Sequence, residues 1–361
     1  FYPYFKVGTA RDTVPGAKPE LKIIETALVK VLVEVGDDEE IKFIKDNFER
    51  DFSEALNLIR VSAPLMVVPE SGLNDNLNGF ERPVHFDVLY LKKNVEIVQS
   101  LAKWKRMALA KYGFKTGCGL YTDMNAIRRD EELDHLHSIY VDQWDWEKII
   151  TQEERNLDYL KKTVQTIYNV IKLLSYKVAN RYPELATELP SEIFFISTKE
   201  LEKQFPTLSR KEREDEITKQ HKAVFIYQIG WNLEDGKPHD GRAADYDDWL
   251  LNGDIILWYD VLGHAFELSS MGIRVDDTSI IKQLKAKNED FKLTGPYVKS
   301  VIEKTIPLTI GGGIGQSRLC MFFLKKQHIG EVQSSIWDEE ELKKLAQENI
   351  CLLYTSPSPR D

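Results

Sequence analysis

Ile255-Ile256-Leu257-Trp258-Tyr259-Asp260-Val261-Leu262-Gly263-His264-Ala265-Phe266-Glu267-Leu268-Ser269-Ser270-Met271-Gly272-Ile273-Arg274-Val275 is the stretch on which the architecture turns. Two runs rich in β-branched and aromatic residues, Ile255 to Val261 and Phe266 to Val275, are separated by too few residues for a crossover helix. Each reads as a strand bounded by polar residues or glycine. Two further strands are expected upstream, at Ala223 to Ile229 and Ile193 to Ile196. The last three of these four lack room for long helices between them, which implies an antiparallel sheet with helices grouped around it and not a βαβ alternation. The class is α+β.

Working outward, Leu157, Leu160, Val164, Ile167, Ile171 and Leu174 recur at three- and four-residue steps and predict a long amphipathic helix between Thr151 and Val178. Ile41, Ile44, Phe48, Phe52 and Ala55 predict another. The charge-rich run Lys211 to Lys222 reads as a solvated helix face or a loop. Residues 1–20, with two glycines and two prolines among their last thirteen, are expected to be loose; residues 21–350 are expected to form a single domain; and 351–361 resembles a sequencing or cloning scar. From the start at Phe1 in place of Met, the expectation is either a missing upstream piece or a reading frame opened by a fragment.

The 361 residues, 42% hydrophobic, suffice for a large core. A net charge of -10 argues against a broad nucleic-acid footprint. Cys118, Cys320 and Cys351 are too few and too scattered for a disulfide framework or a thiolate zinc site, which fits a reducing cytoplasm. No apolar run approaches the length of a membrane span.

Three segments carry chemistry. In Thr309-Ile310-Gly311-Gly312-Gly313-Ile314-Gly315-Gln316-Ser317-Arg318-Leu319, a glycine-dense turn is expected between an apolar strand and an apolar helix. It matches neither the dinucleotide fingerprint nor the P-loop. Arg318 is suited to lie flat on a purine or to pair with phosphate. The second segment, Ala126 to Glu147, reads as strand, charged loop, strand. Alternation puts Gln143, Asp145 and Glu147 on one face of the later strand, near Arg128. A buried face of that kind needs a ligand to satisfy it. His135 and His137 lack the further ligands that a structural zinc needs. The third segment gathers Arg242, Asp245, Asp247, Asp248, Asp254, Glu267 and Arg274, which is either a surface acidic loop or a place for nucleotide phosphates and Mg²⁺.

Taken in order, the arginine-acid-acid loop, the Glu267 to Arg274 strand and the glycine segment ending in Arg318 resemble motifs 2 and 3 of class II aminoacyl-tRNA synthetases, whose catalytic core is an antiparallel β-sheet flanked by helices. Ser100-Leu101-Ala102-Lys103-Trp104-Lys105-Arg106, Asn74-Asp75-Asn76-Leu77-Asn78-Gly79, Gly119-Leu120-Tyr121-Thr122 and Tyr140-Val141-Asp142-Gln143-Trp144-Asp145-Trp146-Glu147 resemble the ammonia-dependent asparagine synthetase family over roughly residues 25–340. A tRNA-charging enzyme should bring an anticodon-binding domain, for which residues 1–70 are too short and too helical.

The resemblance implies an ATP-dependent ligase acting on L-aspartate and ammonia through an aspartyl-adenylate, without nucleic acid or membrane, as a homodimer. Asp75, Lys105, Gln143 and Asp145, with Ser100 and Ser270, would hold aspartate, or Asp75 would hold the ammonium. Arg128 would bridge the reacting carboxylate and the α-phosphate, so that Arg128, Asp75 and Lys105 carry the catalysis. Arg242, Asp247, Asp254, Glu267, Arg274 and Arg318, together with Arg128, would bind ATP, with Glu267 and Asp254 on Mg²⁺ and Arg318 stacked on adenine. Only Leu250 and Leu251 separate Trp249 from Asn252, where the resemblance implies a longer polar loop, so closure over the nucleotide is expected to be affected.

Overall fold

The computed structural model describes the backbone of residues 19–37 and all atoms of residues 38–74, 77 and 81–353. The loose segment expected over residues 1–18, the candidate Asp75 and the tail residues 354–361 lie outside the described residues. The chain divides into two units, the first ending at Phe43 and the second running from Ile44. Helix α1 (Pro19–Leu56) begins in the first and ends in the second.

In chain order the second unit then contains β1 (Leu58–Arg60), β2 (Met66–Val67), β3 (His85–Val88), β4 (Lys93–Ile97), α2 (Ala102–Lys111), β5 (Gly119–Ile127), β6 (Tyr140–Ile149) and α3 (Leu157–Arg181). These are followed by β7 (Phe194–Ser197), α4 (Thr198–Gln204), α5 (Arg210–His221), β8 (Ala223–Tyr227), β9 (Asp247–Tyr259), β10 (His264–Arg274), α6 (Asp277–Ala286), α7 (Pro296–Ile302), β11 (Thr309–Gly315), α8 (Gln316–Phe323) and α9 (Glu339–Gln347). Eight strands form the main sheet in the order β1-β5-β6-β11-β10-β9-β8-β7, and β2-β4-β3 form a small second sheet.

The main sheet is antiparallel from β5 through β8, which the tight connection from β9 to β10 requires of that pair, but both edge pairs, β1 with β5 and β7 with β8, are parallel. The reason is in the connections: α4 and α5 fill the segment between β7 and β8, which gives the chain length for a crossover. The charged run is therefore a helix, α5, started by a capping box between Ser209 and Glu212. It is not all solvated, since Ile217 and Thr218 are buried and Arg213 donates to the Phe205 carbonyl at 3.0 Å.

Helix α3 follows its predicted pattern. Asn156 caps it by accepting from Tyr159 N at 2.9 Å, and Leu160, Val164, Ile167, Ile171 and Leu174 are all buried. On the last turns of α1, Phe48 packs on Trp144 at 4.9 Å and Phe52 meets Trp146 edge-on at 6.1 Å, so one face of β6 is locked under apolar side chains.

Two expectations change. The glycine-dense segment is a strand: Thr309–Gly315 is β11, inserted between β6 and β10. A Cβ at Gly311 would come within 2.0 Å of Glu147 Oε2, one at Gly312 within 2.5 Å of Met271 Cβ, and one at Gly313 within 2.3 Å of Gln143 Oε1. The glycines keep the strand low so that the neighbouring strands can project side chains over it. Strand β9 starts at Asp247, eight residues before the apolar run at Ile255, because polar residues continue the ladder. Trp249 to Asn252 lie inside it: Asp247 pairs with Arg274 and Asn252 with Gly272, so the intervening residues bulge from the sheet, with Leu250 exposed.

Candidate active site

The face of β6 opposite its tryptophans presents Gln143, Asp145 and Glu147, as the alternation requires. Asp145 and Glu147 are joined there by cations from two other elements. Lys105, from α2, pairs with Asp145, donates to the Gly312 carbonyl at 3.0 Å and lies 4.0 Å from Glu147 Oε2. Arg274, at the end of β10, donates from Nε to Glu147 Oε1 at 2.9 Å and from Nη2 to Oε2 at 2.7 Å, and its Nη1 pairs with Asp247. Thr309 Oγ1 adds a 2.6 Å bond to Glu147. All five charged side chains are almost fully buried.

Burial lowers the pKa of Lys105, and the nearby Arg274 adds to the effect against the pull of Asp145. Burial alone would raise Glu147, but the Arg274 guanidinium outweighs it and holds the carboxyl below its ordinary range. Asp247 goes the other way: burial raises it, and the Glu147 charge adds to the rise because Arg274 is shared between the two. Two cations thus face three carboxylates, Asp145, Glu147 and Asp247, and the surplus negative charge favours a ligand that brings its own cation.

This cluster floors a cavity of about 350 Å³. Among the sequence candidates, Ser100, Lys105, Arg128, Gln143, Asp145, Asp247, Glu267, Ser270, Arg274 and Arg318 all line it. Arg242 instead lines an adjoining hollow of about 490 Å³, shared with Arg128, Glu267 and Ser270. Arg242 pairs with Asp254 and, at 2.5 Å, with Asp240. Asp254 lies behind Arg242 with its Oδ1 buried and without a hydrogen bond, and it lines neither space. Burial, then Glu267 and Asp240, push its carboxyl up to about 7 against the opposing Arg242 charge. Asp254 is thus taken up by Arg242 and turned away from both spaces, so of the two Mg²⁺ candidates only Glu267 stands where phosphate oxygens could share a cation with it.

Arg128 is held by its backbone, which donates to the Ile139 carbonyl at 2.9 Å, and its Nε is without a hydrogen bond. Arg318 is fixed edge-on. Its Nη1 donates to the Glu267 carbonyl at 2.7 Å and its Nη2 meets His137 Nε2 at 2.9 Å, while His137 Nδ1 lies 2.8 Å from Asp134. With Nε2 accepting, the ring proton sits on Nδ1 and is donated to Asp134.

Sequence reasoning passed over several of these residues. His137 was weighed only as a metal ligand, although it steadies Arg318. Asp240 and Tyr246, which also line the cavity, carry no local signal. Ser317 and Gln333 converge on Asp142 from α8 and from the segment after it, with Ser317 N donating at 3.1 Å and Gln333 Nε2 at 3.1 Å. Glu147 was visible in the strand pattern, but its pairing with Arg274 depends on a register across β11.

Residues 36–349 match the family model for aspartate–ammonia ligase. The chain belongs to the aspartate–ammonia ligase family. As a member it is a ligase of the asparagine-forming class. The Clostridium tetani aspartate–ammonia ligase is 58% identical over 337 residues, covering 93% of this chain and 96% of that protein. A Bacillus cereus relative of the same name is 58% identical over 312 residues, covering 86% and 95%. Among solved structures, asparaginyl-tRNA synthetase from Pyrococcus horikoshii complexed with asparaginyl-adenylate matches 87% of this chain and 71% of its own, with TM-score 0.61 at 15% identity. The Entamoeba histolytica enzyme in complex with asparaginyl-adenylate matches 89% and 71%, with TM-score 0.60 at 14% identity. At such identities the likeness establishes the fold, that of class II aminoacyl-tRNA synthetases. No described helix is long and apolar enough to cross a membrane.

Proposed function

We propose that the chain forms asparagine in two steps, through a β-aspartyl-adenylate. The observation that carries this reading is the polarity of the cavity: an amino-acid-sized polar floor of Lys105, Gln143 and Asp145 lies in the same space as Arg128, Glu267 and Arg318. In the first step an oxygen of the aspartate β-carboxylate attacks the α-phosphorus of ATP, and the bond to pyrophosphate breaks. In the second, ammonia adds to the carbonyl carbon of the activated β-carboxyl group, that carbon's bond to the AMP oxygen breaks, and one proton is released.

Asp145 and Gln143 take the α-ammonium, for which the surplus negative charge of the floor is suited, and Lys105 takes the α-carboxylate, with Ser100 and Ser270 completing the pocket; the family resemblance adds Asp75 as a further substrate-binding candidate. Arg128, with its free Nε, bridges the attacking oxygen and the α-phosphate, where charge develops in the transition state. Arg318 stacks on adenine, held in plane by His137 and the Glu267 carbonyl. Asp247 and Arg274 support the floor on the nucleotide side, and Arg242 faces the phosphates. Glu267, on the cavity wall, would hold Mg²⁺, and a cation bound there would supply positive charge beside the phosphates; Asp254 instead anchors Arg242. We include in the proposal a homodimer paired through the edge strand β1, where Ile59 is exposed; a monomeric mass in solution would remove that part.

Carboxylate-¹⁸O aspartate tests the route. An adenylate transfers one labelled oxygen to AMP, whereas label appearing in inorganic phosphate with ADP as co-product would contradict it.

A further inference from the structure

A second cavity, of about 260 Å³, opens beside the first, and Leu77 lines both. Two segments form the wall between them by alternating their side chains. On α2, Ala102 and Lys105 line the first cavity and Lys103 the second; in the chain before β9 and at its start, Tyr246 and Asp247 line the first, while Ala243 and Asp245 line the second. Lys103 and Asp245 join the two segments through an ion pair, Nζ to Oδ2 at 3.2 Å, with both side chains almost fully buried. Lys292 lies 3.9 Å from the same Oδ2 and 2.8 Å from Glu289. Both lysines therefore use Oδ2, and Asp245 Oδ1 is buried without accepting a hydrogen bond. A buried carboxylate oxygen in this state has an unmet demand for a donor. The Tyr297 phenol, 3% exposed, lines the same space, close to Asp245 and Arg106, and its oxygen is likewise buried without a hydrogen bond of good geometry. The rest of the lining includes Phe291, Pro296 and Val298.

Aspartate and the nucleotide account for the first cavity. The remaining substrate is small, and it must reach the acyl carbon while those two occupy the first cavity and water is kept from a hydrolysable intermediate. The charges around the second cavity balance, Lys103 and Lys292 against Asp245 and Glu289, so it has no net pull on a cation. Two ammonium groups already beside Asp245 repel a third. A neutral molecule that can donate one N–H to Oδ1 meets neither obstacle.

We propose that the second cavity is the entry chamber for ammonia in its neutral form. Ammonium leaves its proton in solvent, NH₃ donates to Asp245 Oδ1, and it passes the Lys103–Asp245 wall to the first cavity. There its lone pair forms the bond to the β-acyl carbon, the carbon–oxygen bond to AMP breaks, and one proton is lost. The inference rests on the adenylate reading above.

Steady-state kinetics in ammonia, at fixed pH with aspartate and ATP saturating, test it alongside aspartate-dependent exchange of pyrophosphate into ATP measured without ammonia. Asp245→Asn turns an amide N–H₂ toward the chamber, Val298→Phe narrows it, and Tyr297→Phe removes one buried oxygen. Asp245→Asn and Val298→Phe are expected to raise KM for ammonia at least about tenfold while exchange stays within about twofold of the unaltered chain. Unchanged ammonia KM in these variants overturns the chamber, as does a parallel fall of both activities, which marks the wall as structural only. If Asp245→Asn does not fold, unchanged ammonia KM in both Val298→Phe and Tyr297→Phe overturns it equally. The unaltered chain reports separately on the adenylate, because absence of exchange there removes that reading before any variant is made.

Discussion

Glu147 is the residue on which the candidate site depends most. Arg274 and Lys105 both lean on it, and neither can recover hydration in the interior. Glu147→Ala is expected to lower stability by about 3–5 kcal/mol in a denaturant titration; a change of a few tenths would mean that Arg274 finds another partner. Glu147→Gln, which keeps the shape, should lose less. A second residue sets a pH response. His328 is fully buried, and its Nδ1 accepts from Gly330 N at 3.0 Å, so a proton added there breaks the bond. Burial, followed by the neighbouring His135, lowers its pKa to about 4 from 6.5. For a base lowered on folding, the stability it contributes is complete above 6.5 and is lost as pH falls towards 4. By linkage the chain should lose about 3 kcal/mol over that window through this group. Unfolding compared at about pH 7 and about pH 4 should therefore show a smaller acid loss in His328→Gln than in the unaltered chain; equal losses would assign the acid limb to other groups. At this scale the sequence was partly readable. Strand alternation alone placed Gln143, Asp145 and Glu147 on one face, whereas the opposed roles of Lys103 and Lys105, two residues apart, required the helix to be docked between two cavities.

Among the elements, β11 shows where local reading fails. Four glycines in seven residues read as a turn, because intrinsic preference removes glycine from strands. They are tolerated because β6 and β10 hold the strand from both sides, and they are needed because Glu147, Gln143 and Met271 fill the space a Cβ would take. The two outer positions separate folding from binding. Gly311→Ala meets a backbone carbonyl, Trp146 O at 2.6 Å, as well as the Glu147 carboxylate, and should lower Tm markedly. Gly313→Ala meets no backbone, only the end of the Gln143 side chain and, at 3.5 Å, Asp145 Oδ1, so it should fold with Tm little changed while KM for aspartate rises about tenfold or more. Equal Tm losses in the two variants would contradict this division. The helices were easier to read, since α3 follows a single periodicity and has a side-chain cap. The first half of β9 was not, because Asp247, Asn252, Gly253 and Asp254 give little strand signal of their own and are held in the sheet by their ladder partners in β10.

For the molecule as a whole, the order β6-β11-β10-β9 determines which distant residues meet. Asp145 and Glu147 from β6, Glu267, Ser270 and Arg274 from β10 and Asp247 from β9 come together over a glycine strand that offers them room. The class of fold was legible from strand spacing, and the ordered motifs carried the family. The parallel edge pairs were not legible, since they depend on crossovers through helices whose packing no single segment encodes. That assembly gives one space an aspartate-sized polar floor together with arginines suited to a nucleotide, and the central claim is that carboxylate and α-phosphate react within it. The most direct measurement is exchange of labelled pyrophosphate into ATP in the absence of ammonia. The account predicts exchange that requires aspartate and is abolished in Arg128→Ala; exchange independent of aspartate, or none under conditions where the chain makes asparagine, would contradict it.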